Sequence, residues 1–131
     1  MKYTLDDLIN YRIQRAYESI EEAKILAHEG HWNTVANRLY YALFYSTNAL
    51  LIKHNIKVNS HSGLKSEFHK NFVKKGKIEM RFGKHYSDLF DKRQEGDYQV
   101  FKKFSADEIE PLIKITEEFI SEIENLIFGV K

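Results

Sequence analysis

The clearest hydrophobic and polar pattern in the chain lies between Asn33 and Ile52, a stretch that contains neither proline nor glycine. Wound as a helix at about 100° per residue, the stretch has a small and aliphatic arc made of Val35, Leu39, Ala42, Leu43, Ser46, Ala49 and Leu50. The opposite arc is polar and rich in tyrosine, and it carries Thr34, Asn37, Arg38, Tyr41, Tyr45 and Asn48. Because buried polar side chains are costly without hydrogen-bond partners, this pattern predicts the central helix of a bundle, contacted from more than one direction.

A first helix is predicted immediately before this stretch. Thr4 and Asp7 have the spacing of a capping box, and hydrophobic residues then recur at helical spacing from Leu5 to about Glu29. Gly30 is expected to end this helix. Only a short turn separates it from the central helix, and so short a connection favours an antiparallel pair.

The central helix is expected to end near His54, and a third, shorter helix is predicted after a connector. Ser60 to Gly63 has the composition of a helix start, with a serine placed to cap the free backbone N–H groups. This third helix is predicted to end at Gly76.

The region after Gly76 has a weaker pattern. Residues 77–84 are ambiguous because Gly83 interrupts the hydrophobic spacing. A fourth helix is predicted from His85 to about Arg93, and residues 94–103 are predicted to form a loop or a broken helix.

A long amphipathic helix is predicted to close the chain. Ser105 and Glu108 form a second capping box, and the hydrophobic stripe that follows reaches Ile127. Pro111 is expected either to bend this helix slightly or to mark a later start, because proline removes a helical hydrogen bond. Together the elements predict an all-α fold, an up-and-down antiparallel bundle of four to five helices in one domain over residues 1–131.

Composition excludes several kinds of site. The 131 residues include no cysteine, which excludes disulfides, thiol catalysis and cysteine-ligated zinc. No two of the six histidines have the i, i+4 spacing of a helical metal site, so no metal is predicted. Phosphate-loop, dinucleotide, nucleotidyltransferase and serine-hydrolase motifs are absent, so no cofactor is expected.

The overall charge and hydropathy bound the partners and the location. A formal net charge of +1 makes no global demand for nucleic acid. There is no apolar leader segment and no apolar run near the roughly 20 residues of a membrane span. These features favour a cytoplasmic protein with no membrane partner.

Charge is nevertheless uneven along the chain. Residues 65–84 are strongly basic, with aromatic residues among the lysines, and residues 105–131 are acidic. The basic segment is suited to a phosphate backbone. It is equally suited to pairing with the acidic helix of the same fold, and the sequence leaves both interpretations open.

His61 is the most informative histidine, because it stands where hydroxyl groups and free backbone N–H groups converge at a helix start. One interpretation is a capping turn whose histidine hydrogen-bonds a neighbouring helix. The other is a functional group in a binding or catalytic site.

Several segments together resemble one family. They are Tyr11-Arg12-Ile13 with Ala16, the stretch 37–44, Ala49-Leu50-Leu51, His61-Ser62-Gly63 with Phe68, and Arg93 with Asp97-Tyr98. In this order and spacing the chain resembles the HEPN domains of prokaryotes, in particular their small stand-alone branch, over nearly its whole length. The Arg-x-Tyr-Tyr-Ala-x-Phe portion that begins at Arg38 is the most specific part of the resemblance.

The resemblance implies a helical bundle that forms a homodimer. It also implies pairing with a minimal nucleotidyltransferase as protein partner, or a role in toxin–antitoxin and defence systems. Many members resemble metal-independent ribonucleases that use an arginine followed, after four to six residues, by a histidine. In such a site the histidine moves the proton of the ribose 2′-hydroxyl and the arginine holds the phosphate.

This chain departs from that ribonuclease motif. Arg81 and His85 are separated by only three residues, and Arg93 is followed at the required distance by Tyr98. Tyrosine, with a pKa near ~10, is a poor general base at neutral pH. We therefore assign no catalytic residue; the candidates, were the chain an enzyme, are Arg93, His61 and His85.

The polar residues suggest a groove that binds a nucleotide, an RNA or a partner. The residues expected to line it are Asn37, Arg38, Tyr41, Tyr45, His61, Arg93, Asp97 and Tyr98. The first hypothesis is a nucleotide- or RNA-binding regulatory module that partners a minimal nucleotidyltransferase. The alternative is a metal-independent ribonuclease toxin with a variant site, and a third is a dimeric scaffold protein.

Overall fold

The computed structural model describes residues 2–99 and 101–129, and every regular element within them is helical. The helices are α1 (Leu5–His28), α2 (Trp32–Lys53), α3 (His61–Phe68), α4 (Met80–Tyr98) and α5 (Ala106–Phe128). A π-helical segment, His69–Val73, continues α3. The predicted all-α helical bundle is confirmed.

Helix α2 lies at the centre of the bundle and packs against α1, α3, α4 and α5. Its aliphatic arc is buried, and the core also takes in Tyr40, which lies beside the polar arc. Gly30 adopts a left-handed φ of +79°, which allows the tight turn between α1 and α2. The expectation of a central helix contacted from several directions is confirmed.

The helix starts agree closely with the capping residues. Thr4 Oγ1 accepts a hydrogen bond from the backbone N–H of Asp7, and the Asp7 carboxylate accepts one from Thr4 in return. Ser105 and Glu108 make the same reciprocal pair at the start of α5, and Ser60 Oγ accepts from the N–H of Gly63 at the start of α3. Each pair satisfies backbone groups that a helix end leaves without partners.

The predicted extent of the fourth helix was wrong. Helix α4 runs from Met80 to Tyr98 and therefore includes part of the ambiguous segment and the first half of the predicted loop. Gly83 does not break the helix. Its lack of a side chain allows close packing, since a Cβ there would lie 2.9 Å from a methyl group of Val73. A Cβ on Gly96 would lie 3.1 Å from the ring of Phe104.

Pro111 lies inside α5, which begins at Ala106, so the alternative of a later helix start was wrong. Pro111 is exposed. The backbone carbonyl that loses its partner there can therefore bond to water.

Candidate functional site

Arg93 is a buried arginine in the second half of α4, with 7% of its surface exposed. Its guanidinium carbon lies 4.8 Å from the centre of the Tyr40 ring and 5.9 Å from that of Tyr41. A guanidinium at such a distance over an aromatic face is attracted by the ring's quadrupole. The ion pair with Asp97 is long, at 3.8 Å, and Nε has no hydrogen-bond partner among the described residues. The two tyrosine rings thus hold the Arg93 guanidinium in place, and Asp97 neutralises its positive charge only in part.

His61 approaches the same place from the start of α3. Its Nδ1 lies 2.7 Å from the hydroxyl of Tyr40, and its ring centre lies 4.7 Å from that of Phe44. Burial and then the positive charge of Arg93 lower the pKa of His61 below its ordinary value. His61 is therefore neutral at physiological pH and has one nitrogen that can accept a proton.

The direction of the hydrogen bond between Tyr40 and His61 determines whether Nε2 of the imidazole is a hydrogen-bond donor or an acceptor. Burial raises the pKa of Tyr40 to about 12, so its hydroxyl stays protonated. If this hydroxyl donates to Nδ1, the imidazole proton sits on Nε2, which then acts as a donor. If Nδ1–H donates to the hydroxyl oxygen instead, Nε2 is a free acceptor and a base. The first tautomer suits ligand binding and the second suits proton transfer.

A hydrogen-bonded chain links α4 to α2 and α1 beside Arg93. Asn37 Nδ2 donates to Asp97 Oδ2 at 3.0 Å, so Asp97 is shared between Asn37 and Arg93. Arg38 donates through Nε and Nη2 to Asn37 Oδ1, at 3.1 and 2.8 Å, and through Nη1 to Glu22 at 3.1 Å. The Arg38 guanidinium lies 5.1 Å from the centre of the Tyr41 ring. Tyr41 is therefore flanked by two cations, Arg38 and Arg93.

The structure brings together most of the residues predicted for the groove. We call the group that meets at this point the Arg93 cluster, and its members are Asn37, Arg38, Tyr40, Tyr41, His61, Arg93 and Asp97. Tyr45 lies at the rim, 6.0 Å from the Tyr41 ring, and contacts Arg15 of α1. Tyr98 is 72% exposed at the end of α4.

His85, the remaining catalytic candidate, belongs to the core. It is 6% exposed, and its Nε2 lies 2.8 Å from the hydroxyl oxygen of Thr116 on α5. Burial lowers its pKa from 6.5 to about 4, with the carboxylate of Asp88 acting in the opposite direction. Its described contacts do not include the Arg93 cluster. We interpret His85 as a structural residue.

Three members of the site's surroundings were not among the predicted site residues. Tyr40 joins Arg93 to His61, and Phe44 packs against His61. Lys65 lies 4.5 Å from the ring of Phe90, which itself packs edge-on against Tyr40. Tyr40 falls beside the polar arc and stands in the Arg-x-Tyr-Tyr motif, which was the one sequence signal that marked it.

The basic segment lies toward the other end of α3 and α4. His69 on the segment after α3 contacts the carbonyl of Gly83 near the start of α4 at 3.0 Å, whereas His61 lies near Arg93 farther along α4. The two helices therefore run antiparallel. Lys84 is nine residues from Arg93, which is roughly 14 Å along the helix axis. Arg81 pairs with Glu79 and with Glu118 of the acidic helix, as the second interpretation of this segment expected.

Two possible features are not found in the described part of the chain. Residues 2–99 and 101–129 contain no group of three His, Asp or Glu side chains arranged to hold a metal ion. None of the described helices combines the length and apolar character needed to cross a membrane.

An all-α bundle whose central helix presents an Arg-x-Tyr-Tyr motif to a histidine and an arginine defines a class of protein. The model of the HEPN domain matches residues 9–126, and the chain belongs to the HEPN family. The resemblance stated from the sequence is confirmed.

Named relatives span nearly the whole chain. A UPF0332 protein of Thermotoga maritima is 36% identical over 126 residues, which cover 96% of each chain. A protein of Methanocaldococcus jannaschii named as a candidate toxin is 32% identical over 131 residues, covering 97% of each. A second protein of that organism with the same kind of name is 25% identical over 117 residues, covering 89% of this chain and 80% of the relative.

Proposed function

We propose that this chain is a nucleotide- or RNA-binding regulatory module of a toxin–antitoxin-type pair and that the Arg93 cluster is its binding site. The observation that carries the proposal is the half-compensated guanidinium of Arg93, held against two tyrosine rings beside a neutral histidine. An arginine with unused N–H groups is well matched to a phosphate.

The neighbouring side chains supply the rest of a nucleotide site. Tyr41 is half-buried and offers a ring on which a base can stack. Asp97 holds Arg93 only through a long contact, so a phosphate can replace it without breaking a short ion pair. The Nε2–H tautomer of His61 adds a neutral donor beside the phosphate.

The regulatory part of the proposal rests on the family. Two relatives carry names that mark them as candidate toxins, and the HEPN resemblance implies a nucleotidyltransferase as partner and a homodimer as the assembly. We expect the protein encoded beside this one to contain the Gly-Ser and Asp-x-Asp motifs of a minimal nucleotidyltransferase. Co-expression and affinity purification test this partner, and a neighbouring protein with those motifs that never co-purifies would contradict it.

Binding is tested by fluorescence anisotropy with a labelled RNA of about ten nucleotides, competed by a mononucleotide, in the presence of a metal chelator. Arg93→Gln should weaken binding at least about tenfold, because a charge-assisted hydrogen bond contributes about 1.5–3 kcal/mol. Lys24→Gln is the control, since Lys24 is an exposed cation paired with carboxylates outside both the cluster and the basic segment. If Arg93→Gln unfolds the chain, Arg93→Lys keeps the charge and should still weaken binding. Equal affinity of the folded variant and the wild type would refute the proposal.

A second candidate, a metal-independent ribonuclease, is favoured by one observation. The fold places His61 beside Arg93 although the two are 32 residues apart in sequence, and this neutral histidine can act as a base in its Nε2 acceptor tautomer. Tyr40 would then orient the imidazole, its hydroxyl oxygen accepting a hydrogen bond from Nδ1–H.

The two candidates are separated by incubating RNA with the wild type, His61→Ala and His85→Gln without added metal. The binding module predicts no cleavage by any of the three. Cleavage that His61→Ala lowers by about 10²-fold or more, and that His85→Gln leaves unchanged, would favour the ribonuclease.

A further inference from the structure

Arg12 of α1 is the one arginine whose charge has no carboxylate partner among the described residues. Arg15, Arg38, Arg81 and Arg93 each lie within 4.0 Å of a carboxylate oxygen. Arg12 is half-buried, its Nε is inaccessible to solvent, and that Nε has no hydrogen-bond partner within the described residues. A half-buried guanidinium without such partners is costly, which points to an anion that completes the site.

Arg12 is one of the residues that line a cavity between the start of α1, the end of α2 and the connector that follows α2. The cavity has a volume of about 630 Å³, within the range of roughly 300–1,000 Å³ typical of ligand pockets. The connector is held in place, because the N–H of Ile56 donates to the carbonyl of Leu51 at 2.9 Å and Asn55 adopts a left-handed φ of 60°. The cavity is thus part of the folded structure.

The cavity lining has a specific chemical character. Lys57 adds a second cation, and no aspartate or glutamate is among the described residues that line the cavity. Asn48 contributes a buried side-chain oxygen that also has no hydrogen-bond partner among the described residues. Half of the lining is aliphatic, made of Leu5, Leu8, Ile52, Ile56 and Val58, and Asn55 and Asn59 complete it. A ligand that fits must bring an anion, an N–H donor and an aliphatic group.

We propose that this cavity binds the C-terminal residue of a partner polypeptide that ends in an aliphatic side chain. The terminal carboxylate accepts hydrogen bonds from Arg12, the last peptide N–H donates to Asn48 Oδ1, and the side chain packs against Ile52 and Ile56. A nucleotide fits less well, because the described part of the chain places no aromatic ring in the cavity lining for a base to stack on. The site is separate from the Arg93 cluster, and neither proposal depends on the other.

The test uses acetylated hexapeptides that differ only in the last residue, each prepared as the free acid and as the C-terminal amide. Binding to the full chain is measured by fluorescence anisotropy. Acids that end in Leu, Ile or Val should bind, and their amides should bind at least about tenfold more weakly. Octanoate serves as a further probe, and tighter binding of octanoate than of any peptide would overturn the proposal in favour of a small carboxylic acid.

Variants connect the binding to the cavity. Arg12→Gln should weaken binding of the acids at least about tenfold and leave the amides unchanged, whereas Arg81→Gln should change neither. Asn48→Asp, which places a negative charge beside the bound carboxylate, should weaken binding of the acids as well and provides a second test if Arg12→Gln unfolds. The proposal would be overturned by absence of binding at millimolar peptide or by equal binding of acid and amide. A change of oligomeric state in Arg12→Gln would also overturn it and would assign the cavity to a contact between two copies of the chain.

Discussion

The guanidinium of Arg93 lies over the ring of Tyr40, at 4.8 Å from its centre, while the hydroxyl of the same Tyr40 meets His61 at 2.7 Å. One side chain therefore positions both groups that the proposed function requires, the arginine through its face and the histidine through its oxygen. The two contacts are chemically separable, because phenylalanine keeps the ring and removes the hydroxyl.

Tyr40→Phe should therefore separate binding from stability. Loss of the hydrogen bond to His61 should lower the free energy of unfolding by about 1 kcal/mol, measured by urea denaturation. The ring that supports Arg93 remains, so nucleotide affinity should change by less than about threefold. A loss of affinity as large as that of Arg93→Gln would contradict this and would show that the oriented histidine contributes as much to binding as the arginine.

The buried His85 predicts a dependence of stability on pH. The native pKa of about 4 lies below the ordinary value of 6.5, so the unfolded chain binds a proton that the native chain does not. Stability contributed by neutral His85 is complete above pH 6.5 and falls between pH 6.5 and pH 4 by about 3 kcal/mol in total.

His85→Gln should remove this part of the pH dependence, since glutamine does not titrate. The difference between wild type and variant isolates His85, because His61, whose pKa is also lowered, titrates in both proteins. Parallel stability curves of the two proteins between pH 7 and pH 5 would contradict the prediction.

The sequence predicted the helix starts, which depend on neighbouring residues, better than the extent of α4, which depends on packing between distant segments. The capping boxes at Thr4 and Ser105 and the glycine turn at Gly30 are local, and they gave the helix starts and the antiparallel pair correctly. The extent of α4 could not be predicted in this way. Gly83 and Gly96 resemble helix breakers in sequence, but each accommodates a side chain from another segment, Val73 and Phe104 respectively.

The candidate site was predicted only in part, because some of its residues share one helix arc and others meet only through tertiary packing. Asn37, Arg38 and Tyr41 share one arc of α2, a periodic feature that the sequence displays directly. The meeting of His61 with Arg93 depends on how α3 packs against α4, which no local pattern specifies. Tyr40 was missed as a site residue because it is buried and lies beside the arc rather than on it.

The distance between the Arg93 cluster and the basic segment distinguishes an RNA from a mononucleotide. Lys74 and Lys75 are exposed and precede the start of α4, whereas Arg93 lies in the second half of that helix. Only a ligand of several nucleotides can therefore reach both these lysines and the Arg93 cluster. Lys74→Gln/Lys75→Gln should lower the slope of log K against log salt for RNA by about 1.4, at about 0.7 for each phosphate contact. Mononucleotide binding should not change, and neither should RNA binding by the control variant Lys2→Gln/Lys114→Gln. An unchanged slope for RNA would contradict the prediction and would show that RNA contacts the Arg93 cluster without contacting Lys74 and Lys75.

We predict that the chain is a two-fold dimer in solution, with α2 or its neighbours near the axis. Helix α1 beside α2 exposes large apolar side chains, among them Tyr11 at 54% and Ile25 at 66%, and such surfaces favour association. Multi-angle light scattering at about 50 μM should give twice the chain mass of 15.5 kDa. A mass of one chain at that concentration would contradict the prediction.

The most direct test of the proposed function is an NMR titration of the isotope-labelled protein with a mononucleotide and with an RNA of about ten nucleotides. Side-chain and backbone signals report which residues the ligand touches, independently of any loss of folding in a variant. We predict that the largest chemical-shift changes fall on Asn37, Tyr41, His61, Arg93 and Asp97, and that the Arg12 cavity is unaffected. Changes confined to residues outside the Arg93 cluster, or no changes at millimolar ligand, would contradict it.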